Sequence, residues 1–224
     1  MKKILSFFYI IVFLTLSYYP VLAQDKVLSI EQKQEINAFG NKIEYLISQK
    51  KNSQACLLSY EMIQRYPNEP EVYFSYAKAS HHAGYPNRAI EYYKKCFKLD
   101  NTYYQAIFNI GLVYYQQKEY NKAIKYYTKV IHMTSNNTSY IQNNATAYSN
   151  RALAKYYDGQ LRSALKDYNK SLSIKNEYSG VDHVYYNRGL CKYDLGDKSG
   201  AYEDYNTAKK INPKFKYIYY DKRG

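Results

Sequence analysis

The sequence has 224 residues, of which 46% are hydrophobic and 23% charged; this balance suits a folded soluble protein with one sizeable domain or one repeat array and argues against a disordered chain. Its formal net charge is +13, but the lysines are mixed with acidic residues and form no arginine-rich stripe, so the charge favours a solvated surface over a nucleic-acid site. The three cysteines cannot all pair within one chain, and without a C-x-x-C motif they argue against a redox or zinc centre.

The first 23 residues have the layout of a secretory signal peptide. Lys2 and Lys3 provide the positive start, and Ile4–Leu16 is an apolar run shorter than the ~20 residues needed to span a bilayer. Residues 21–23 precede the expected cut, which would leave Gln24 as the new N-terminus. The pattern is typical of a bacterial protein and predicts export, to the periplasm or as a secreted protein, with an uncleaved N-terminal membrane anchor as the alternative.

A polar lead-in follows over residues 24–35, where Ser29 is the expected N-cap of a helix that starts near Ile30. Beyond it the sequence repeats itself. The register is set by five alanines at spacings of 34, 34, 41 and 37 residues: Ala55, Ala89, Ala123, Ala164 and Ala201. Four of them are followed four positions later by an aromatic residue: Tyr93, Tyr127, Tyr168 and Tyr205. Twelve positions before each alanine stands a residue that is small in four of the five units: Ile43, Ala77, Gly111, Ala152 and Gly189.

This pattern predicts pairs of amphipathic helices whose small residues mark the points of closest approach. The run Asn187-Arg188-Gly189-Leu190, followed by Leu195-Gly196-Asp197 and Ala201, resembles the tetratricopeptide repeat family. The resemblance implies an all-α fold, an α-α superhelix (solenoid) of about five helix-turn-helix repeats. The units are 36–69, 70–103, 104–137, 145–178 and 182–215, and residues 216–224 are expected to form a short C-terminal tail or cap.

Motifs that carry catalysis or bind a cofactor do not occur in the sequence. It contains no G-x-S-x-G, no H-E-x-x-H and no glycine-rich phosphate loop. His81 and His82 are adjacent, so on a helix they point about 100° apart and do not form the i, i+4 pair that a metal site uses. The sequence therefore predicts a protein that is not an enzyme and has neither a cofactor nor a metal site.

The family resemblance implies a concave groove lined by the first helix of each unit. Candidate partner-binding residues lie at the fifth, ninth, twelfth and thirteenth positions of the units: Phe74, Lys78, His81, Phe108, Tyr115, Gln116, Tyr156, Tyr157, Tyr186 and Tyr193. Aromatic surfaces of this kind bind an extended peptide or a helix. The alternative is that groove positions instead pack between neighbouring first helices, above all Leu112, Leu153 and Leu190.

Two arginines, Arg151 and Arg188, stand directly before the small residues of the fourth and fifth units. An arginine at such a place reaches either an acidic ligand or a nearby carboxylate of its own chain. We expect local pairing, with acids such as Asp158 and Asp194 as the partners.

These observations predict a non-enzymatic scaffold that binds a protein or peptide partner in the groove, with no specific nucleic acid and no membrane span once the signal is removed. The alternative is an envelope assembly factor that contacts an anionic polymer or a membrane surface through its basic charge. Removal of Lys2 and Lys3 with the signal leaves 30 basic and 19 acidic residues, or +11, which motivates this second reading. If this alternative is correct, the association with the partner should weaken steeply as the salt concentration rises.

Overall fold

The structure is a computed structural model that describes residues 28–135, 140–174 and 180–214. In these ranges every regular element is an α-helix, which confirms the predicted all-α superhelix. The ten helices are α1 (Ile30–Ser48), α2 (Asn52–Arg65), α3 (Pro70–His82), α4 (Pro86–Leu99), α5 (Tyr104–Gln116), α6 (Tyr120–Thr134), α7 (Ile141–Tyr157), α8 (Leu161–Ile174), α9 (Val181–Asp194) and α10 (Lys198–Ile211).

The described residues divide after Ala38 into two units. In the first, the Oγ of Ser29 accepts a hydrogen bond from the amide of Gln32, and the Oε1 of Gln32 accepts one from the amide of Ser29. This reciprocal pair caps α1 at the predicted residue. The predicted signal peptide, residues 1–23, and the predicted tail, residues 216–224, lie outside the described residues. Among the helices described, none is both long enough and apolar enough to cross a bilayer.

Within residues 39–224, each helix from α2 onward packs against the next one along the chain. The pairs α3–α4, α5–α6, α7–α8 and α9–α10 are helix hairpins, and α2–α3, α4–α5, α6–α7 and α8–α9 join one hairpin to the following one. The first helices of successive units also meet, as α7 and α9 do. Because contacts run between neighbours in sequence, the structure is built as a linear array of repeats.

The repeated alanines, Ala55, Ala89, Ala123, Ala164 and Ala201, are all fully buried. The sequence placed the small residue of the first helix opposite this alanine. In the third unit the structure instead sets Gly111 against the ring of Tyr127, because a Cβ at Gly111 would lie 2.9 Å from the ring's Cε1. The residue that approaches Gly111 closely is therefore the tyrosine four residues after the alanine, one helical turn further along α6.

The turn between the two helices of a unit uses one residue in the left-handed region. Gly84 has φ of +82° and Gly196 has φ of +91°, and Lys118 takes the same place in the third unit with φ of +61°. The amide of each of these residues donates to a carbonyl three residues earlier. Glycine adopts this conformation at the end of a helix without steric cost, which explains the glycines at this turn.

Three equivalent tyrosines, Tyr93, Tyr127 and Tyr168, form the centre of the hairpins of the second, third and fourth units. All three are at most 1% exposed, and within the described structure their hydroxyls have no hydrogen-bond partner. Burial raises the pKa of each hydroxyl above its ordinary value. The rings fill the hairpin interior, and the hydroxyls add a desolvation cost that no hydrogen bond offsets.

Replacement of Tyr127 by Phe tests this description of the hairpin centre. We expect the free energy of unfolding to stay the same or to rise by up to about 1 kcal/mol, because the change removes an unpartnered buried hydroxyl and keeps the ring. Tyr73→Phe is the matched control, since the Tyr73 hydroxyl donates to the carbonyl of Pro67 at 2.9 Å, and its loss should cost about 0.5–1.5 kcal/mol. Urea denaturation measures both, and a larger cost for Tyr127→Phe than for Tyr73→Phe would contradict the assignment.

Candidate functional site

A series of contacts joins the C-terminal end of each first helix to the next, from α3 through α9. The Nε2 of His81 lies 2.6 Å from the Oε1 of Gln116. The Tyr115 and Tyr157 rings meet edge to face with their centroids 6.0 Å apart. These contacts place four of the predicted groove residues together along one edge of the first helices, each linking its unit to its neighbour.

The same edge continues from α7 to α9 through Tyr156. Its hydroxyl donates to the Oδ2 of Asp194 at 2.5 Å. Each of these links joins the twelfth position of one unit to the thirteenth position of the next. The sequence predicted each of these residues except Asp194 as a groove residue, but not that they pair with one another.

Four tyrosines form a continuous aromatic surface, which we call the tyrosine cluster: Tyr115, Tyr120, Tyr156 and Tyr157. Besides the Tyr115–Tyr157 contact, Tyr120 stacks on Tyr157 at 5.7 Å, and Tyr156 meets Tyr157 edge to face at 5.3 Å. Tyr157 is 53% exposed although it contacts all three others. Burial and the neighbouring Tyr157 raise the pKa of the Tyr115 hydroxyl, so this hydroxyl stays protonated at neutral pH.

The N-terminal end of this edge is ionic rather than aromatic. The Nζ of Lys78 lies 2.6 Å from both carboxylate oxygens of Glu44, which occupies the equivalent position one unit earlier. Burial, followed by the positive neighbours His81 and Lys78, lowers the pKa of the His82 imidazole. The predicted groove residue Lys78 is thus already paired within the array, and a ligand would have to compete with Glu44 for it.

Two predicted groove residues, Phe74 and Phe108, cover the buried tyrosines of their own units. The ring of Phe74 lies 5.5 Å from that of Tyr93, and the ring of Phe108 lies 5.4 Å from that of Tyr127. Both phenylalanines are half-buried. These contacts are with the second helix of their own unit, not between neighbouring first helices as in the alternative, and each phenylalanine leaves part of its side chain in solvent.

The remaining predicted residues, Tyr186 and Tyr193, pack on a small buried cluster in the last unit that contains Leu190 and Ala201. Leu190 is buried, whereas Leu112 and Leu153 are half-buried. Tyr156 also contacts this cluster. The aromatic residues of the last unit therefore adjoin the tyrosine cluster through Tyr156.

Both arginines pair with carboxylates of their own chain, as predicted, but the predicted partners Asp158 and Asp194 are wrong. The guanidinium of Arg151 makes two bonds of 2.7 Å to Asp167, and that of Arg188 makes bonds of 2.8 and 2.6 Å to Asp204. Both carboxylates come from the second helix of the same unit, sixteen residues after the arginine. The sequence analysis favoured acids at the end of the first helix, and these bonds do not involve them.

The acids that the sequence favoured have other partners. Asp158 accepts from the amide groups of Asn121 and Gln160, and Asp194 accepts from the Tyr156 hydroxyl. An arginine near the middle of the first helix lies beside the second helix of its hairpin, so the facing carboxylate is the one that it meets. The constant spacing of sixteen residues in two units was the signal that could have identified Asp167 and Asp204.

A cavity of about 320 Å³ opens between α7, α8 and α9. Its lining includes Ser149, Asn150, Leu153, Tyr168, Val184 and Asn187. Sequence reasoning missed it, although one signal was available: Ser149 stands at the position that Phe74 and Phe108 occupy in the two preceding units. Tyr168 is nevertheless only 1% exposed, so other side chains cover its ring, and His183 also lines the cavity.

The described side chains do not form a metal site. Within residues 28–135, 140–174 and 180–214, no three His, Cys, Asp or Glu side chains come together as a metal site would require. Burial raises the pKa of the Cys191 thiol to about 11 and that of the Cys96 thiol to about 12. Such thiols are protonated at neutral pH and are poor nucleophiles.

Comparison with protein families gives the same description for every matched segment, the tetratricopeptide repeat. The matched residues are 70–103, 104–137, 144–185 and 182–215. The curated relatives include the DnaJ homolog subfamily C member 7 of Mus musculus, 40% identical over 68 residues, and that of Homo sapiens, 38% identical over 68 residues. Each match covers 30% of this chain and 12% of the relative, so the chain corresponds to only about an eighth of those proteins.

Several solved structures have a similar fold. BtubC from P. vanneervenii has a TM-score of 0.70 at 19% identity, over 82% of this chain and 83% of that chain. PilF of Pseudomonas aeruginosa has a TM-score of 0.68 at 17% identity, covering 80% and 77%. MamA from Desulfovibrio magneticus RS-1 has a TM-score of 0.65 at 19% identity, covering 80% and 95%. At these identities the likeness establishes the fold alone.

Proposed function

Because the chain belongs to the tetratricopeptide repeat family, whose members generally mediate protein–protein interactions, we propose that it is a non-enzymatic scaffold that binds a protein partner along its first helices. The observation that supports this proposal is the tyrosine cluster. Its four rings come from two first helices and the start of α6, and they hold one another in place through ring contacts. Tyrosine is enriched at binding hot spots because it offers a large, rigid apolar ring with a polar end.

Within the cluster, Tyr157 is the residue best placed to bind. It is 53% exposed, and its ring is oriented by contacts with the other three tyrosines. A side chain that is already ordered loses little conformational entropy when a partner covers it. We therefore assign to Tyr157 the largest share of partner affinity at this edge, with Tyr115 and Tyr156 supporting its orientation.

Affinity capture with the full chain as bait, followed by mass spectrometry, tests the proposal. We expect a partner that is retained by the wild-type protein and whose affinity falls tenfold or more, about 1.4 kcal/mol, with Tyr157→Ala. Tyr202→Ala is the matched control, since Tyr202 is 52% exposed but lies on α10, a second helix. A partner captured equally by both variants would show that the tyrosine cluster does not bind it.

A second candidate function is contact with an anionic polymer or membrane surface through the basic charge. The observation that favours it is a cleft of about 380 Å³ on α4, lined by Lys94, Lys95 and Lys98 together with Glu91. The same capture experiment separates the two readings when it is washed at rising ionic strength. Association through the lysines should weaken steeply with salt, whereas association through the tyrosine cluster should depend on salt only slightly.

Export of the protein is a further part of this proposal. It is supported by the sequence of residues 1–23, with Lys2 and Lys3 ahead of the apolar run Ile4–Leu16. The partner would then be met in the periplasm or outside the cell. N-terminal sequencing of the protein recovered from cell fractions tests this point, since a cleaved chain begins at Gln24.

A further inference from the structure

The second helices of three successive units carry an excess of basic side chains. Helix α4 has four lysine or arginine side chains against one carboxylate, α6 has three against none, and α8 has three against one. The first helices α3 and α5 have one lysine and one glutamate between them, and the two cations of α7, Arg151 and Lys155, pair with Asp167. Charges that are mixed along the sequence are therefore separated on the folded array.

Six of these lysines form a surface that we call the lysine stripe: Lys95, Lys98, Lys125, Lys129, Lys166 and Lys170. They stand two, six or nine positions after the repeated alanine of their unit, and the sixth position is a lysine in all three units. On a helix these positions lie about half a turn away from the buried alanine, so the lysines point away from the hairpin interior. All six are exposed.

The lysine stripe is nearly free of carboxylates. Lys95 has an ion pair, with its Nζ 2.8 Å from the Oε1 of Glu91, whereas the other five lysines have none among the described residues. The Nζ of Lys129 instead lies 4.0 Å from the centre of the Phe97 ring on α4. The side chains of α4 and α6 thus meet on this face, and α8 presents its lysines at the same register positions.

The positive charge of the stripe does not stabilise the fold by itself. Lys125 and Lys129 are four residues apart on α6, as are Lys166 and Lys170 on α8. Like charges at this spacing repel each other and weaken a helix. A partner of opposite charge would remove this repulsion and would itself release counter-ions on binding.

The side chains of this face favour a polymer over a lipid surface or a folded protein. Among the large apolar side chains that are exposed in the described structure, only Leu99, the last residue of α4, lies on α4, α6 or α8. A membrane-binding surface inserts apolar side chains into the lipid, and a protein interface has an apolar core. Lysine is a compact charge on a flexible stem, so it can follow the charges of a polymer without a fixed geometry.

We infer that the lysine stripe binds a linear polyanion, a polymer with closely spaced anionic groups that runs across α4, α6 and α8. This inference rests on the second candidate function and deepens it. It selects the anionic polymer rather than the membrane surface, and it extends the site from the cleft on α4 to three successive units. Because the stripe lies on second helices, it is a separate site from the protein-binding edge proposed for the first helices.

Titration of the full chain with long-chain polyphosphate, measured by isothermal titration calorimetry, tests the stripe directly. We expect saturable binding that is stronger per phosphate than that of tripolyphosphate by roughly tenfold or more, because only the long chain reaches all three helices at once. The affinity should fall steeply as the salt concentration rises. Equal affinity per phosphate for the two probes, or no binding at low salt, would overturn the inference.

A pair of substitutions within the stripe gives the second measurement. Lys129→Gln combined with Lys170→Gln removes one charge from α6 and one from α8 and keeps good helix formers, so the affinity for long-chain polyphosphate should fall about tenfold or more. Lys42→Gln combined with Lys209→Gln is the matched control, because it removes the same charge from exposed positions of α1 and α10. Circular dichroism checks that both variants are folded. Equal loss of affinity in the two variants would show that the lysine stripe is not the site.

Further outcomes separate this inference from the proposed functions. If vesicles that contain phosphatidylglycerol bind and long-chain polyphosphate does not, the second candidate function holds as a membrane contact and the inference fails. If polyphosphate does not bind while a captured protein depends on Tyr157, the scaffold function holds and the inference again fails. Polyphosphate binding that depends on Lys129 and Lys170, without any protein that depends on Tyr157, supports the inference and contradicts the assignment of partner binding to the tyrosine cluster.

Discussion

Gly111→Val is expected to destabilise the protein by about 1–3 kcal/mol or more. Gly111 is buried on α5, and a Cβ there would lie 2.9, 3.0 and 3.2 Å from three atoms of the Tyr127 ring. That ring is itself fully buried, and its centroid lies 5.4 Å from that of Phe108. Because the buried Tyr127 ring must shift to make room, the added side chain disturbs the packing between the two helices of the third unit.

Gly40→Val is the matched control for this effect. Gly40 also lies inside a helix, α1, but a Cβ at that position meets nothing within 4 Å. Its replacement should change the free energy of unfolding by less than about 0.5 kcal/mol, because valine and glycine differ little in helix propensity. Thermal or urea unfolding of both variants compares them. Equal destabilisation by the two substitutions would mean that helix propensity, and not the contact with Tyr127, decides the result.

The example of Gly111 shows what the sequence was able to predict about the fold. Spacing alone identified the glycine as a point of close approach, because the same register recurs in each unit. Spacing did not identify what approaches it, since Ala123 and Tyr127 are one turn apart on α6 and face the same hairpin interior. Only the relative shift of the two helices along their axes decides between them, and that shift depends on the packing of whole side chains.

The candidate site, too, could be predicted from the sequence only in part. Family register placed Tyr115, Tyr156 and Tyr157 on the first helices, but not their contacts with one another, which depend on the angle between successive units. The cavity beside Ser149 was missed for a different reason: a cavity results from a residue that is small where its counterparts are large. Alignment of the units position by position sets Ser149 against Phe74 and Phe108, and this difference in size is visible in the amino-acid sequence itself.

Asp167→Ala is expected to have the largest effect of these single substitutions, about 3–5 kcal/mol. The carboxylate of Asp167 pairs with Arg151 at 2.7 Å and with Lys155 at 2.8 Å, and the side chains of these cations are only 15% and 13% exposed. Its removal leaves two mostly buried positive charges without their counter-ion. Asp158→Ala is the control, because Asp158 is half-buried and bonds only neutral amides in the contacts described; its loss should cost about 1 kcal/mol or less.

The other units of the array show how this buried charge can be replaced. The positions of Arg151, Lys155 and Asp167 are taken in the third unit by Ile110, Tyr114 and Tyr126, and the two tyrosine rings stack there at 5.5 Å. The triple variant Arg151→Ile, Lys155→Tyr, Asp167→Tyr therefore carries an apolar set that already packs in this fold. Since a buried ion pair often contributes no more than well-packed apolar side chains, we expect the triple variant to recover most of the stability lost in Asp167→Ala.

The two paired arginines also bond to side chains of the preceding units. The effect of Asp167→Ala should therefore be confined to one part of the array. The Nη1 of Arg151 donates to the Oγ1 of Thr128 in the preceding unit at 3.1 Å, and the Nη1 of Arg188 donates in the same way to Asn169 at 3.0 Å. In an array stabilised by nearest-neighbour contacts, loss of Asp167 should weaken the fourth unit and its interface with the third. Hydrogen exchange should then speed up in α7 and α8 while α3–α5 keep their protection. A uniform rise in exchange along all the helices would instead show that the array unfolds as one cooperative unit.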